Sequence, residues 1–298
     1  MVENTKETGP LRTEQDGATL IVTIDGGPHQ VFGEAVARAL EQLVAQVDAD
    51  PAIRAVVFRS PHPARFISHA DVPWLQQGGL RALERIKAGN KAPPADPDAF
   101  GLDRLHGLTL KMNSANAVFV AALEGPALGL GAEFSWACDL RVIADDAFIG
   151  QPEIVLGIMP GGGGTQRLAR LIGPHAALEA ILQGRPLSPQ EALSLGAVDA
   201  VCARGDVLTN AIALAQGLAT RHKASIGAIK RAVYLGSSLP LPDGLKLETN
   251  EFLRLDMSPE GQARMIAYDE ETRDVGELPL YIEGRYKTAL RSGSSLSG

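Results

Sequence analysis

Twice in its first half the chain passes from a short β-branched apolar stretch into a helical apolar period and back again. That rhythm limits the fold more than any other feature. Thr19–Ile24 (TLIVTI) alternates and is rich in β-branched residues, the pattern of a strand. Glu34–Val47 then places apolar residues at 36, 39, 40, 43, 44 and 47, a helical period. Asp50-Pro51 breaks it, and Ala55–Phe58 (AVVF) reads as a short buried strand. The second cycle predicts a strand over Val118–Leu123, a helix over Gly131–Ala137 and a strand over Leu140–Ile143. Such alternation implies βα units around a largely parallel sheet, an α/β fold.

Between the cycles lies Gln76–Asn113, rich in Gly, Pro and Lys, with KAPPADPD at 91–98. Its PPADPD core cannot be regular helix or strand, so the stretch is expected to be a mobile surface loop flanked by short helices, acting as a lid. From Gly164 onward the pattern turns helical. Ser188-Pro-Gln-Glu191 is a capping box with Pro at the first helical position, and Ser258-Pro-Glu260 opens another helix in the same way. Leu208–Tyr268 carries no strand signal. The expected organisation is an N-terminal extension at 1–15, a core at 16–205 with the loop inserted at 76–113, a helical region at 206–273, and a frayed tail at 274–298 ending in SGSSLSG.

Composition removes several function classes. A net charge of −7 argues against nucleic acid or an anionic membrane surface as the main partner. The 298 residues, 45% hydrophobic and 21% charged, can bury one large core or two modest ones. No apolar run reaches the roughly 18 residues that a membrane-spanning helix needs. The first 17 residues resemble neither a secretory signal nor a transit peptide. Cys138 and Cys202, without CxxC spacing, fit a reduced cytoplasmic protein. The scattered histidines form no metal-ligand pattern, so no metal and no separate cofactor are expected.

The chemistry concentrates in Ala127–Arg167, where Glu133 and Glu153 each sit beside a Gly-rich turn. Gly129-Leu130-Gly131 lies between a strand and a helix start, where glycines let backbone approach a ligand and unpaired N–H groups favour negative charge. Glu133 falls in the first turn of that helix, and Glu153 follows the strand-like Ala147–Ile149 and Gln151-Pro152 in a loop. A glutamate in a first helical turn is, alone, only a favourable dipole partner. Two of them beside backbone donors can hold a water and stabilise an oxyanion. Gly161–Gly164 lacks the Lys-Ser/Thr of a phosphate loop, and Gly129-x-Gly131 lacks the third glycine of a dinucleotide fingerprint.

Glu133, the QPE of Gln151–Glu153 and the G-I-x-P-G-x-G-G-T-Q-R-L run of Gly157–Leu168 resemble the crotonase (enoyl-CoA hydratase/isomerase) superfamily. The resemblance spans roughly 15–270 and is most specific over 117–200. It implies a spiral of ββα units with a helical C-terminal region used in oligomer packing, as a homotrimer or homohexamer. It also implies an acyl-CoA substrate and a place in fatty acid metabolism. In that family the two oxyanion donors correspond here to the N–H groups of Ala70, in Phe66-Ile-Ser-His-Ala-Asp71, and of Leu130. Phe66, Ile67, Ser68, His69 and Gly129 correspond to the remaining coenzyme A and substrate contacts. Because both glutamates are kept, the resemblance favours hydration of a 2-enoyl-CoA. An isomerase or other enolate-based reaction, and an acyl-CoA-binding protein without turnover, are the alternatives.

Three departures stand out. His69 replaces the usual Gly, Leu130 replaces another, and Gln30 in Pro28–Phe32 replaces the usual Asn. His69 is read as turned away from the ligand while the backbone serves, or else as a third catalytic group. Trp74 and Phe66 are read as core or pocket wall. Arg81, Arg85, Lys87 and Lys91 form a solvated face or meet coenzyme A phosphates, and Arg273 is a substitute candidate for that second role.

Overall fold

The structure, a computed structural model, describes residues 3–89 and 102–285. Among them are nine strands: β1 (Glu3–Thr8), β2 (Leu11–Asp16), β3 (Thr19–Ile24), β4 (Ala55–Arg59), β5 (Val118–Leu123), β6 (Ala127–Leu128), β7 (Leu140–Ala144), β8 (Ile149–Gly150) and β9 (Ala200–Cys202). Seven form one sheet in the order β1-β2-β3-β4-β5-β7-β9. Its first three strands are antiparallel neighbours, and β3 to β9 run parallel. β6 and β8 pair separately, in parallel.

The helices are α1 (Glu34–Ala49), α2 (Val72–Lys87), α3 (Leu102–Ser114), α4 (Leu130–Ala137), α5 (Gly164–Ile172), α6 (Pro174–Gln183), α7 (Pro189–Leu195), α8 (Val207–Ala219), α9 (Lys223–Tyr234), α10 (Leu241–Asp256) and α11 (Pro259–Val275). The expected caps form: Ser188 Oγ accepts from the Glu191 N–H at 3.3 Å, and Ser258 Oγ from the Gly261 N–H at 3.0 Å.

Periodicity located β3, α1, β4, β5, α4 and β7 to within two residues at either end. Within the expected N-terminal extension, β1 and β2 add two strands to the sheet edge. Leu11 pairs with Ile24 and Thr13 with Val22, and Gly9 and Gly17 turn the two hairpins at φ 58° and 57°. An edge strand needs little apolar surface, so its polar sequence carried no strand signal.

The described residues of the 76–113 stretch are mostly helix. Α2 runs to Lys87, and α3 buries Leu105, Leu108 and Met112 at helical spacing. The PPADPD segment lies outside the described residues. At the other end, α8 belongs to the core, packing across β3, β4, β5 and β7 through Val207, Ala211, Ala215 and Ala219. Α11 continues to Val275, and a 3-10 turn at Pro279–Tyr281 follows, so the expected tail begins late; residues 286–298 lie outside the described set.

The part of the core that matters for function lies under α4. All eight of its residues are buried, which leaves it no solvent face. Phe134 meets Phe58 edge-on at 5.1 Å, and Phe58 stacks on Phe119 at 5.9 Å. These rings tie α4 to β4 and β5, so a side chain projecting from its first turn stands on a rigid base.

Candidate active site

Close backbone approach assembles the site. A Cβ on Gly131 would run into the carbonyl of Ile67, so only glycine lets the 67–71 segment lie against the start of α4. Gly129 caps that helix at φ 51°, in the left-handed region, and a Cβ there would stand 2.9 Å from Glu153 Oε1. The β6–β8 pair brings the second glutamate in: Gly129 N–H donates to Gly150 O at 2.9 Å, and Gln151 Nε2 to Gly129 O at 3.3 Å. Glu153 then opens a 3-10 turn, Glu153–Leu156.

Two backbone donors converge beside this junction. Ala70 bridges to Phe32 through its neighbours, with Phe32 N–H donating to His69 O at 2.8 Å and Asp71 N–H to Phe32 O at 2.9 Å. Leu130 is the first residue of α4, so its N–H has no acceptor within the helix. Among the described residues neither the Ala70 nor the Leu130 N–H finds an acceptor. Both residues line one cleft of about 450 Å³ together with His69, Gly129, Glu133 and Glu153.

The two acids differ in setting. Glu133 is 2% exposed, and its Oε1 accepts from the Gly162 and Gly164 N–H groups, each at 2.8 Å. Burial pushes its carboxyl up to about 7 and the charge of Glu153 adds to the rise, against the two N–H bonds and the Arg167 cation. Glu153 is also raised by burial, opposed by its own backbone N–H and by His69. Its Oε2 is buried without a hydrogen-bond partner among the described residues.

Of the residues singled out from sequence, Glu133, Glu153, Ala70, Leu130, Gly129 and His69 are brought together in the cleft. Phe66 and Ile67 are not: their side chains are buried in the core, and Phe66 N–H donates to Pro126 O at 3.0 Å. Ser68 Oγ turns to His29 O at 2.7 Å. His69 lines the cleft, and its Nδ1 lies 2.7 Å from Ala70 O. Trp74 packs against the core, as expected. Gln30 is the one described non-glycine at positive φ, 52°; its amide donates to Ile24 O at 2.6 Å and accepts from Gly26 N–H at 2.8 Å. Arg81, Arg85 and Lys87 are exposed on α2, Lys91 lies outside the described residues, and Arg273 pairs with Asp269.

Sequence reading missed the support behind Glu133. Arg167 on α5 donates to Asn113 Oδ1 at 2.8 Å, and Asn113 Nδ2 to Ala137 O at 3.1 Å, so one relay joins α3, α4 and α5. His106 Nε2 donates to Gly161 O at 2.8 Å. It also missed the apolar wall formed by Val155, Leu156, Ile158 and Met159, for which the signal was an apolar run directly after a candidate acid.

Comparison with known proteins places the chain in a family. The enoyl-CoA hydratase/isomerase family model matches residues 15–275. The chain is 31% identical over 214 residues to the fatty acid oxidation complex subunit alpha of Shewanella frigidimarina; the match takes in 71% of this chain and 28% of that relative's length. An enoyl-CoA hydratase from Geobacillus kaustophilus HTA426 superposes with a TM-score of 0.78 at 26% identity, covering 90% of this chain and 96% of the other. Pseudomonas aeruginosa DspI gives 0.76 at 25% identity, covering 90% and 97%. An enoyl-CoA hydratase from Polaromonas sp. JS666 gives 0.74 at 26% identity, covering 90% and 98%. With its fold, its paired acids and a family match over most of its length, the chain belongs to the enoyl-CoA hydratase/isomerase family of the crotonase superfamily.

Proposed function

We propose that the protein adds water reversibly and syn across the C2=C3 bond of a 2-enoyl-CoA thioester. The observation that carries this reading is the pair Glu133 and Glu153 in one cleft with the free Ala70 and Leu130 N–H groups. The thioester oxygen lies between those two donors and takes up negative charge as water attacks C3. Such a donor contributes about 2.7–4 kcal/mol to the transition state. Because burial holds the proton on Glu133 up to about pH 7, the pair shares one proton near neutrality. The carboxylate of the pair takes a proton from the water, and the carboxyl partner delivers one to C2. The two exchange roles in the reverse direction.

The apolar wall of Val155, Leu156 and Met159 supports an aliphatic acyl group as the substrate tail. The exposed apolar residues Leu241 and Phe252 of α10, Met257 at the link between the helices and Ile266 of α11 support a homo-oligomer. Loss of enoyl-thioester absorbance on adding crotonyl-CoA and longer analogues tests the activity, with Glu133→Gln and Glu153→Gln as controls. Unchanged rates in both variants sink the assigned roles. An isomerase would need only one of the acids, and heavy-oxygen water separates the readings, since isomerisation takes up no solvent oxygen.

A further inference from the structure

His69 stands at a point where two parts of the site meet. Its Nδ1 lies 2.7 Å from the carbonyl oxygen of Ala70, the residue whose N–H is one of the two free donors. A carbonyl only accepts, so Nδ1 carries the hydrogen in either charge state and Nε2 is the nitrogen that gains or loses a proton. No protein partner for Nε2 is found among the described residues, and the side chain is exposed into the cleft. Across Gly129 stands Glu153: a single point above the Gly129 Cα lies 2.9 Å from Glu153 Oε1 and 3.6 Å from His69 Cβ. The buried Glu153 Oε2 has no hydrogen-bond donor of its own.

The charged surroundings leave His69 as the distinctive influence. Α4 brings Glu133 against the turn that carries Glu153, and Arg167 stands behind Glu133. Α6 also packs on that turn, but its His175 and Glu179 are exposed to solvent. Burial raises the Glu153 carboxyl, and its own backbone N–H and the neighbouring His69 oppose that rise.

We propose that His69 is a positioning residue of this site: facing Glu153 across Gly129 and fixed through Nδ1 to Ala70, it draws the negative charge of the glutamate pair onto Glu153 and leaves the shared proton on Glu133. The consequence for catalysis rests on the hydratase reading, while the pairing itself does not.

The test is His69→Asn, which keeps an N–H for the Ala70 carbonyl and cannot become charged; His69→Gln, with a longer reach, guards against a folding failure of the first variant. In ligand-free protein carrying ¹³C-labelled glutamate carboxyls, with Glu153→Gln to assign the signal, both variants move the Glu153 midpoint to higher pH. In hydration assays the pH–rate limb that reports Glu153 moves to higher pH in both variants, and kcat/KM on that limb falls about 2- to 5-fold, the range of a part-exposed ion pair. An unmoved Glu153 midpoint overturns the pairing whether or not the protein hydrates anything. A loss of rate with that limb in place also overturns it, since that is the mark of an effect through Ala70 alone. A moved midpoint in a protein that hydrates no 2-enoyl-CoA supports the pairing and removes the hydratase reading.

Discussion

Glu153 lies close enough to Glu133 for its charge to oppose ionisation of that buried carboxyl, and both reach the cleft from turns anchored on Gly129 and its neighbours. Two acids lining one cleft with two free backbone donors are the arrangement on which the following expectations rest.

Glu133→Gln separates activity from stability. Gln keeps an oxygen for the Gly162 and Gly164 N–H groups but cannot exchange a proton, so hydration falls about 10²- to 10⁴-fold. An unfolded glutamate titrates near 4.5 and Glu133 at about 7, so between those values the folded state holds a proton that the unfolded chain has released. The stability that goes with the neutral group is full below about 4.5 and is lost as the pH rises to about 7, by about 3 kcal/mol at most. Thermal melts near pH 8 therefore show the variant more stable than the parent, with the gap closing near pH 5. A variant less stable at both values contradicts this account.

Arg167 holds Glu133 down from behind. Arg167→Met removes that cation and leaves Asn113 Oδ1 without its donor, costing about 1–3 kcal/mol of stability. The pH–rate limb that reports Glu133 moves to higher pH, whereas Arg167→Lys keeps the charge and moves it less. A limb that stays in place in the Met variant removes Arg167 from the electrostatics.

Leu130 allows a direct test of one backbone donor. Proline is tolerated at the first position of a helix, so Leu130→Pro deletes the N–H with the helix intact. Leu130→Ala removes the same buried packing and keeps the N–H. The Pro variant is expected to lose about 10²- to 10³-fold in kcat relative to the Ala variant, with little change in KM. Equal rates in the two exclude the Leu130 N–H as an oxyanion donor.

Gly131→Ala drives a methyl into the Ile67 carbonyl. Overpacking of this kind costs about 1–3 kcal/mol, read as a lower urea midpoint. The displaced 67–71 segment carries Ala70 with it, so activity falls even in the folded fraction. A variant of parental rate and midpoint argues against this contact.

The apolar wall sets how acyl length acts. Each methylene buried against Val155, Leu156 and Met159 contributes about 0.8 kcal/mol, or about fourfold in kcat/KM, until the cleft is filled. A flat series of straight-chain 2-enoyl-CoA esters would place the tail elsewhere.

Much of this was legible before any coordinates. The β-branched runs 19–24 and 118–123, the helical spacing of 34–47 and the capping serines 188 and 258 each mark their element locally. Helices flanking the Pro-rich segment were expected, but Gly and Lys hid their length, although Leu105, Leu108 and Met112 repeat at helical spacing. Strands β1 and β2 were illegible because they are polar and draw their order from backbone pairing, β1 at the sheet edge with β2 and β2 with β3, rather than from apolar side chains.

The site divides along the same line. Which residues carry chemistry was readable, since glutamates beside glycine-rich turns are local facts of the chain. How each of them is placed was decided by contacts between segments far apart in sequence: Ile67 against Gly131, Gly162 and Gly164 on Glu133, His69 facing Glu153. Proton affinity depends on burial and on nearby charge, and both are properties of the packed molecule. A linear pattern can nominate an acid, but only the fold around it decides where its proton resides.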